Sequence, residues 1–89
     1  MLWEWIIDIA GWMGSLEVVV AYFLVSYNRI SADSRVYQWL NLTGSVFLLA
    51  NTIYYGAFPS AFVNLVWGFI AIASLYRIIN QQPKSDALR

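Results

Sequence analysis

Three long apolar segments alternate with short polar ones along the 89-residue chain. They cover about residues 6–27, 36–55 and 61–79, and a polar tail follows over residues 80–89. A helix rises about 1.5 Å per residue, so about 20 residues cross a bilayer core of about 30 Å. The pattern therefore predicts three membrane-spanning helices.

Two breaks separate these segments. In the polar break, residues 28–35, Ser31 or Asp33 is expected to cap the second helix, because each offers a side-chain oxygen to free N–H groups. In the second break, residues 56–60, Gly56 can adopt the positive φ that ends a helix, and Pro59 suits the first turn of the next. So short a turn predicts that the second and third helices are antiparallel neighbours.

The composition supports a membrane protein, because 61% of the residues are hydrophobic and 11% are charged, against about 25% charged in soluble domains. The sequence therefore predicts an all-α integral membrane three-helix bundle that forms one domain and has the lipid bilayer as its surroundings.

The chain has no histidine and no cysteine. No catalytic, metal-binding or phosphate-binding motif is present, so we expect no enzyme activity and no cofactor. It also has no basic patch, so we expect no nucleic-acid partner.

The basic residues predict the orientation. They lie in the first loop and at the C-terminus, and none precedes the first helix or lies in the turn over 56–60: Arg29, Arg35, Arg77, Lys84 and Arg89. Basic residues favour the cytoplasmic side of a membrane. We therefore expect a multi-pass protein of the bacterial inner membrane, with its N-terminus outside and its C-terminus in the cytoplasm.

Polar and small residues form stripes on the second and third helices when residues are placed at 100° intervals. The stripe of the second helix contains Gln38, Asn41, Ser45, Leu48, Asn51, Thr52 and Tyr55, and that of the third contains Asn64, Trp67, Ala71 and Ser74. A buried amide needs hydrogen-bond partners. These side chains either bond between helices or line a cavity for a small neutral or zwitterionic solute, since amides both donate and accept. The candidate solute-binding residues are Asn41, Asn51, Thr52, Tyr55, Asn64 and Trp67.

The first helix has two small or polar faces on the same wheel. One contains Asp8, Gly11, Ser15, Tyr22 and Ser26, and the other, nearly opposite, contains Ala10, Gly14, Glu17 and Ala21. Small residues let helices approach closely in lipid. We therefore expect this helix to contact protein on both sides, within its own bundle and in a second copy.

Glu17 is an acidic residue well inside an apolar segment. A charged residue at the centre of a membrane helix costs about 2.5–3.5 kcal/mol on insertion scales, so such residues are functional candidates. Glu17 is a candidate for proton or ion coupling. The alternative is a protonated acid that hydrogen-bonds between helices.

Four short strings resemble a family of small bacterial three-helix membrane proteins of largely uncharacterised function. They are GWMGS at 11–15, AY at 21–22, YQWLNLTGS at 37–45 and NLVW at 64–67. That family is similar in layout to the PQ-loop group, which includes the SemiSWEET sugar transporters. The resemblance implies a SemiSWEET-like bundle in which the third helix packs between the other two. It also implies a homodimer with a central cavity that opens alternately to each side, with Asn64 at the position of a cavity asparagine.

Three functions follow from these observations. The first is a dimeric transporter of a small neutral or zwitterionic solute, and the second is a structural or accessory subunit whose polar residues join helices. The third is proton-coupled efflux through Glu17.

Overall fold

The computed structural model describes residues 2–81 as three α-helices. They are α1 (Leu2–Ser26), α2 (Arg35–Tyr54) and α3 (Phe58–Asn80). The all-α prediction is confirmed, although α1 begins four residues before the predicted start at residue 6. Of the predicted tail, Asn80 belongs to α3, and residues 82–89 lie outside the described residues.

The helix ends follow local side-chain chemistry. The Ser34 hydroxyl caps α2 by accepting a hydrogen bond from the Tyr37 N–H at 3.2 Å. The prediction of Ser31 or Asp33 as the cap is wrong, because Ser31 accepts from the Asp33 N–H within the loop instead. A capping oxygen reaches the N–H groups two and three residues ahead, and Ser34 is the residue that stands directly before the helix.

The predicted turn between α2 and α3 is confirmed. Gly56 has a φ of +73°, the left-handed conformation that glycine adopts at least cost. Pro59 lies in the first turn of α3, where a missing N–H leaves no helical bond unmade. The turn therefore brings α3 back beside α2.

The second helix lies in the middle of the bundle. It packs against both α1 and α3, whereas α1 and α3 have no pair of Cα atoms within 8 Å among the described residues. The order implied by the SemiSWEET resemblance, with the third helix in the middle, is therefore wrong. Each short connection places a helix beside the one that precedes it in the chain, as is usual for consecutive elements.

Glycines set the close approach of α1 to α2. A Cβ atom added to Gly14 would lie 2.8 Å from the Gly44 carbonyl oxygen, and one added to Gly11 would lie 2.8 Å from Asn51 Cγ. Both Gly11 and Gly14 are buried against α2. The prediction that they lie on nearly opposite faces is therefore wrong, because a separation of about 60° fits within one contact face.

Large apolar side chains cover much of the outer surface. On α2 the exposed ones share one side of the helical wheel: Val36, Trp39, Val46, Ile53 and Tyr54. Among the helices of residues 2–81, α1 and α3 are long and apolar enough to cross a membrane, by length and composition. The polar stripe of α2 lowers its hydropathy, and α2 does not meet that measure.

Candidate solute-binding cleft

Two groups of polar side chains lie along α2 and at Tyr55, the residue directly after it. The first group donates hydrogen bonds to α1, and we refer to these bonds as the α1–α2 clasp. It consists of Thr43 to the Glu17 carboxylate at 2.8 Å, Asn51 to the Ile7 carbonyl at 2.9 Å, and Tyr55 to the Asp8 carboxylate. These bonds lie along the length of the α1–α2 contact, so this group joins the two helices.

The second group faces a cleft of about 410 Å³. The cleft is lined by Val18 and Tyr22 of α1, by Tyr37, Asn41, Ser45 and Leu48 of α2, and by Val63, Asn64 and Trp67 of α3. It exists because α1 and α3 flank α2 without approaching each other. The polar stripe of α2 therefore forms its floor.

Three of the six predicted binding residues meet in this cleft, namely Asn41, Asn64 and Trp67. The other three do not line it. Asn51 and Tyr55 belong to the clasp, and the Thr52 hydroxyl donates to the Leu48 carbonyl of its own helix at 2.8 Å.

The two cleft asparagines keep hydrogen-bonding capacity. The Asn64 side chain donates from Nδ2 to the Ser60 carbonyl at 3.0 Å, which leaves its Oδ1 as an acceptor. Within residues 2–81 the Asn41 amide has no hydrogen-bond partner, so it can donate and accept. Since none of the lining residues is charged, the cleft suits a solute without net charge.

Aromatic rings surround these amides. Trp67 was expected from the sequence, whereas Tyr22 and Tyr37 were not named as site residues. Their positions on the helical wheel could have identified them as site residues. Tyr22 lies on the polar face of α1, and the direction of Tyr37 on the α2 wheel falls between those of Asn41 and Asn51. Rings beside amides provide flat apolar surfaces against which a small solute can stack.

Glu17 lies in the α1–α2 contact and does not line the cleft. Its Oε2 accepts from Thr43, while its Oε1 is buried with no hydrogen-bond partner in the part of the chain that the structure describes. The side chain thus takes part in helix packing through Oε2, and its Oε1 accepts no hydrogen bond from the described residues. Within the same residues no group of three or more acidic, histidine or cysteine side chains could hold a metal ion.

Comparison with known proteins agrees with part of the resemblance. Residues 7–82 match the model of a family whose function is uncharacterised. The chain belongs to this family. No curated protein and no solved structure matches it. No comparison links the chain to the PQ-loop group.

Proposed function

We propose that this family member is a three-span membrane protein that binds a small neutral or zwitterionic solute in the cleft and moves it across the membrane. The observation that supports binding is the pair of amides, Asn41 and Asn64, which keep free hydrogen-bonding groups in an uncharged, aromatic cleft. Amide groups without hydrogen-bond partners are costly where water cannot reach them, and a polar solute would satisfy them.

The packing order supports a membrane location for α2 as well as for its neighbours. Its polar side chains contact α1, line the cleft or bond to nearby backbone carbonyls, and its other side carries exposed apolar residues such as Trp39 and Ile53. A helix of modest hydropathy is tolerated in lipid when its polar groups are covered by neighbouring helices. This placement supports the proposed three-span arrangement.

The proposed orientation in the membrane depends on the basic residues that are grouped at one end of the molecule. Arg77 Nη2 lies 3.3 Å from Asp33 Oδ1, so the loop between α1 and α2 is at the same end as the C-terminal part of α3. Arg29 and Arg35 belong to that end by sequence. We assign it to the cytoplasm by the preference of basic residues for that side.

A homodimer would complete the cleft. The cleft opens to the outside of the single chain, so a second copy placed over it would enclose the solute between two sets of amides and rings. Opening first on one side of the membrane and then on the other would release the solute. This mechanism uses the packing order of this chain, with α2 in the middle.

Uptake into proteoliposomes tests the proposal. Labelled sugars and amino acids are offered to vesicles that contain the wild-type protein, Asn64→Ala, Asn41→Ala or the matched control Asn80→Ala, which changes an exposed asparagine at the end of α3. We expect uptake by the wild type and the control, and its loss in both cleft variants. Transport is rejected if the wild-type protein takes up none of the solutes and binds them no better than Asn64→Ala does.

A second candidate is an accessory subunit of a membrane complex, favoured by the α1–α2 clasp. In that case the polar residues serve helix packing and the cleft receives a helix of a larger membrane protein. Purification in mild detergent separates the candidates. A stoichiometric larger partner that is lost on Trp67→Ala supports this reading, and a dimer without other proteins counts against it.

A further inference from the structure

We propose that a second pocket, separate from the part of the cleft that contains Asn64, binds a primary ammonium group. The pocket measures about 210 Å³ and lies between the first half of α1 and the last half of α2. It is lined by Asp8, Gly11, Trp12, Ser15, Leu48 and Asn51.

Three side-chain oxygens of the pocket have no donor within residues 2–81. One Asp8 carboxylate oxygen accepts from Tyr55, which holds the carboxylate in place and leaves its second oxygen available. Asn51 uses its Nδ2 on the Ile7 carbonyl, which leaves its Oδ1 available. The Ser15 hydroxyl is the third. A primary ammonium group has three N–H donors, which matches this set of acceptors.

Charge favours a cation at this position. Asp8 makes no ion pair among the described residues, and no lysine or arginine precedes Arg29 in the sequence. Trp12 lies one helical turn after Asp8, and 79% of its surface is exposed. The face of an indole ring attracts cations, so Trp12 adds a second favourable contact beside the carboxylate.

The pocket also continues the cleft. Leu48 lines both, and the α1 residues of the two sites follow one side of that helix from Asp8 to Tyr22. If solute passes along this groove, the solute carries an amine. The inference that the transported solute carries an amine rests on the proposed function, whereas ammonium binding by the pocket does not.

The test is binding of ethylammonium to the full chain in phosphatidylglycerol nanodiscs, measured by saturation-transfer NMR at constant ionic strength. We expect saturable binding that Asp8→Asn weakens about tenfold, because hydrogen bonds to charged groups are stronger than those to neutral ones. Asn keeps an acceptor for Tyr55, so the helix contact is retained. Asp33→Asn removes the same charge at the opposite end of the molecule and should leave binding unchanged.

Tetramethylammonium provides the contrast, since it has the charge but no N–H donor. We expect it to bind more weakly than ethylammonium. Equal binding of both ions, or ethylammonium binding that is unaffected by Asp8→Asn, would overturn the proposal. If Asp8→Asn does not fold, Ser15→Ala and Trp12→Leu replace it, and unchanged binding in both would overturn the proposal equally.

Two further experiments distinguish a lipid amine from a free amine as the ligand, and distinguish failure of the pocket proposal from failure of the transporter proposal. Replacing the lipid with phosphatidylethanolamine, which has a primary ammonium headgroup, should displace ethylammonium if lipid is the natural ligand, and retained binding assigns the site to a free amine. Asn64→Ala should keep ethylammonium binding. Absence of transport by the wild-type protein, with intact ethylammonium binding, would thus reject the transporter and retain the pocket.

Discussion

The two asparagines of α2 have different roles although they share a wheel stripe. Asn51 donates to the Ile7 carbonyl across the α1–α2 contact, whereas Asn41 lines the cleft and has no partner within residues 2–81. One amide stabilises the helix pair and the other is available to a ligand. Which role an amide takes depends on the helix that it faces, and the difference of about 80° in direction between Asn41 and Asn51 on the helical wheel is enough to change it.

These roles predict different effects of the same substitution at the two positions. Asn51→Ala should lower the free energy of unfolding by about 0.5–1.5 kcal/mol, since interhelical hydrogen bonds in membranes average about 0.6 kcal/mol and a close approach to α1 would also be left unfilled. Asn41→Ala should leave stability unchanged and weaken solute binding. Unfolding in mixed micelles measures the first effect. Equal loss of stability in both variants would contradict the assignment.

Glu17 provides a residue-scale test of proton coupling. Glu17→Gln keeps an acceptor for the Thr43 hydroxyl and removes the ability to exchange a proton. If Glu17 couples transport to protons, the variant should equilibrate solute down its own gradient but should no longer accumulate it in response to a pH gradient. The measurement is uptake into vesicles with and without that gradient. Accumulation by the variant at the wild-type level would assign Glu17 to helix packing alone.

At the scale of elements, glycines allow the close approach of α1 to α2. Gly14 and Gly44 approach each other at the centre of the contact, and the clasp provides hydrogen bonds on either side. Close backbone approach of this kind is a known means of helix association in lipid. α3 packs against α2 with more room, because a Cβ atom on Gly68 would meet Ser45 at 3.8 Å, an ordinary contact.

This difference predicts unequal effects of two glycine substitutions. Gly14→Ala should destabilise the bundle by about 1–3 kcal/mol, because the added methyl would lie 2.8 Å from the Gly44 carbonyl oxygen and the helices must separate. Gly68→Ala should be neutral or stabilising. Both variants gain the same helix propensity, so the difference in their unfolding free energies isolates the packing cost. Equal stability of the two variants would contradict the close approach.

The sequence predicted the helices and the α2–α3 turn because these depend on local chemistry, such as the apolar segments, Gly56 and Pro59. It placed the cap three residues or one residue too early, at Ser31 or Asp33, because several residues of that loop have capping oxygens. The cleft was predicted in part. Asn41, Asn64 and Trp67 meet there, but a helical wheel contains no information about which neighbour each stripe faces, so it could not separate Asn41 from Asn51.

At the scale of the whole molecule, the order of the helices decides what the chain can enclose. With α2 in the middle, α1 and α3 form two walls, and the polar floor between them is open on one side. An order with α3 in the middle would have covered the α3 stripe instead. Interhelical order depends on contacts between distant parts of the sequence, and no pattern within one helix specifies it.

The proposed orientation of this arrangement in a membrane gives the last prediction. The natural chain contains no cysteine, so single cysteines can be introduced against a blank background. Ser31→Cys lies in the exposed loop at the end that includes the Asp33–Arg77 pair, and Ala57→Cys lies in the exposed turn before α3, at the opposite end.

If basic residues hold the first loop in the cytoplasm, a membrane-impermeant thiol reagent should label Ala57→Cys in intact spheroplasts and Ser31→Cys only after permeabilisation. Both variants change small exposed residues outside the helices, so the fold should be unaffected. The reverse pattern would invert the orientation. Labelling of both sites before permeabilisation would show that α2 does not cross the membrane, and this would remove the basis for a cleft that opens to each side in turn.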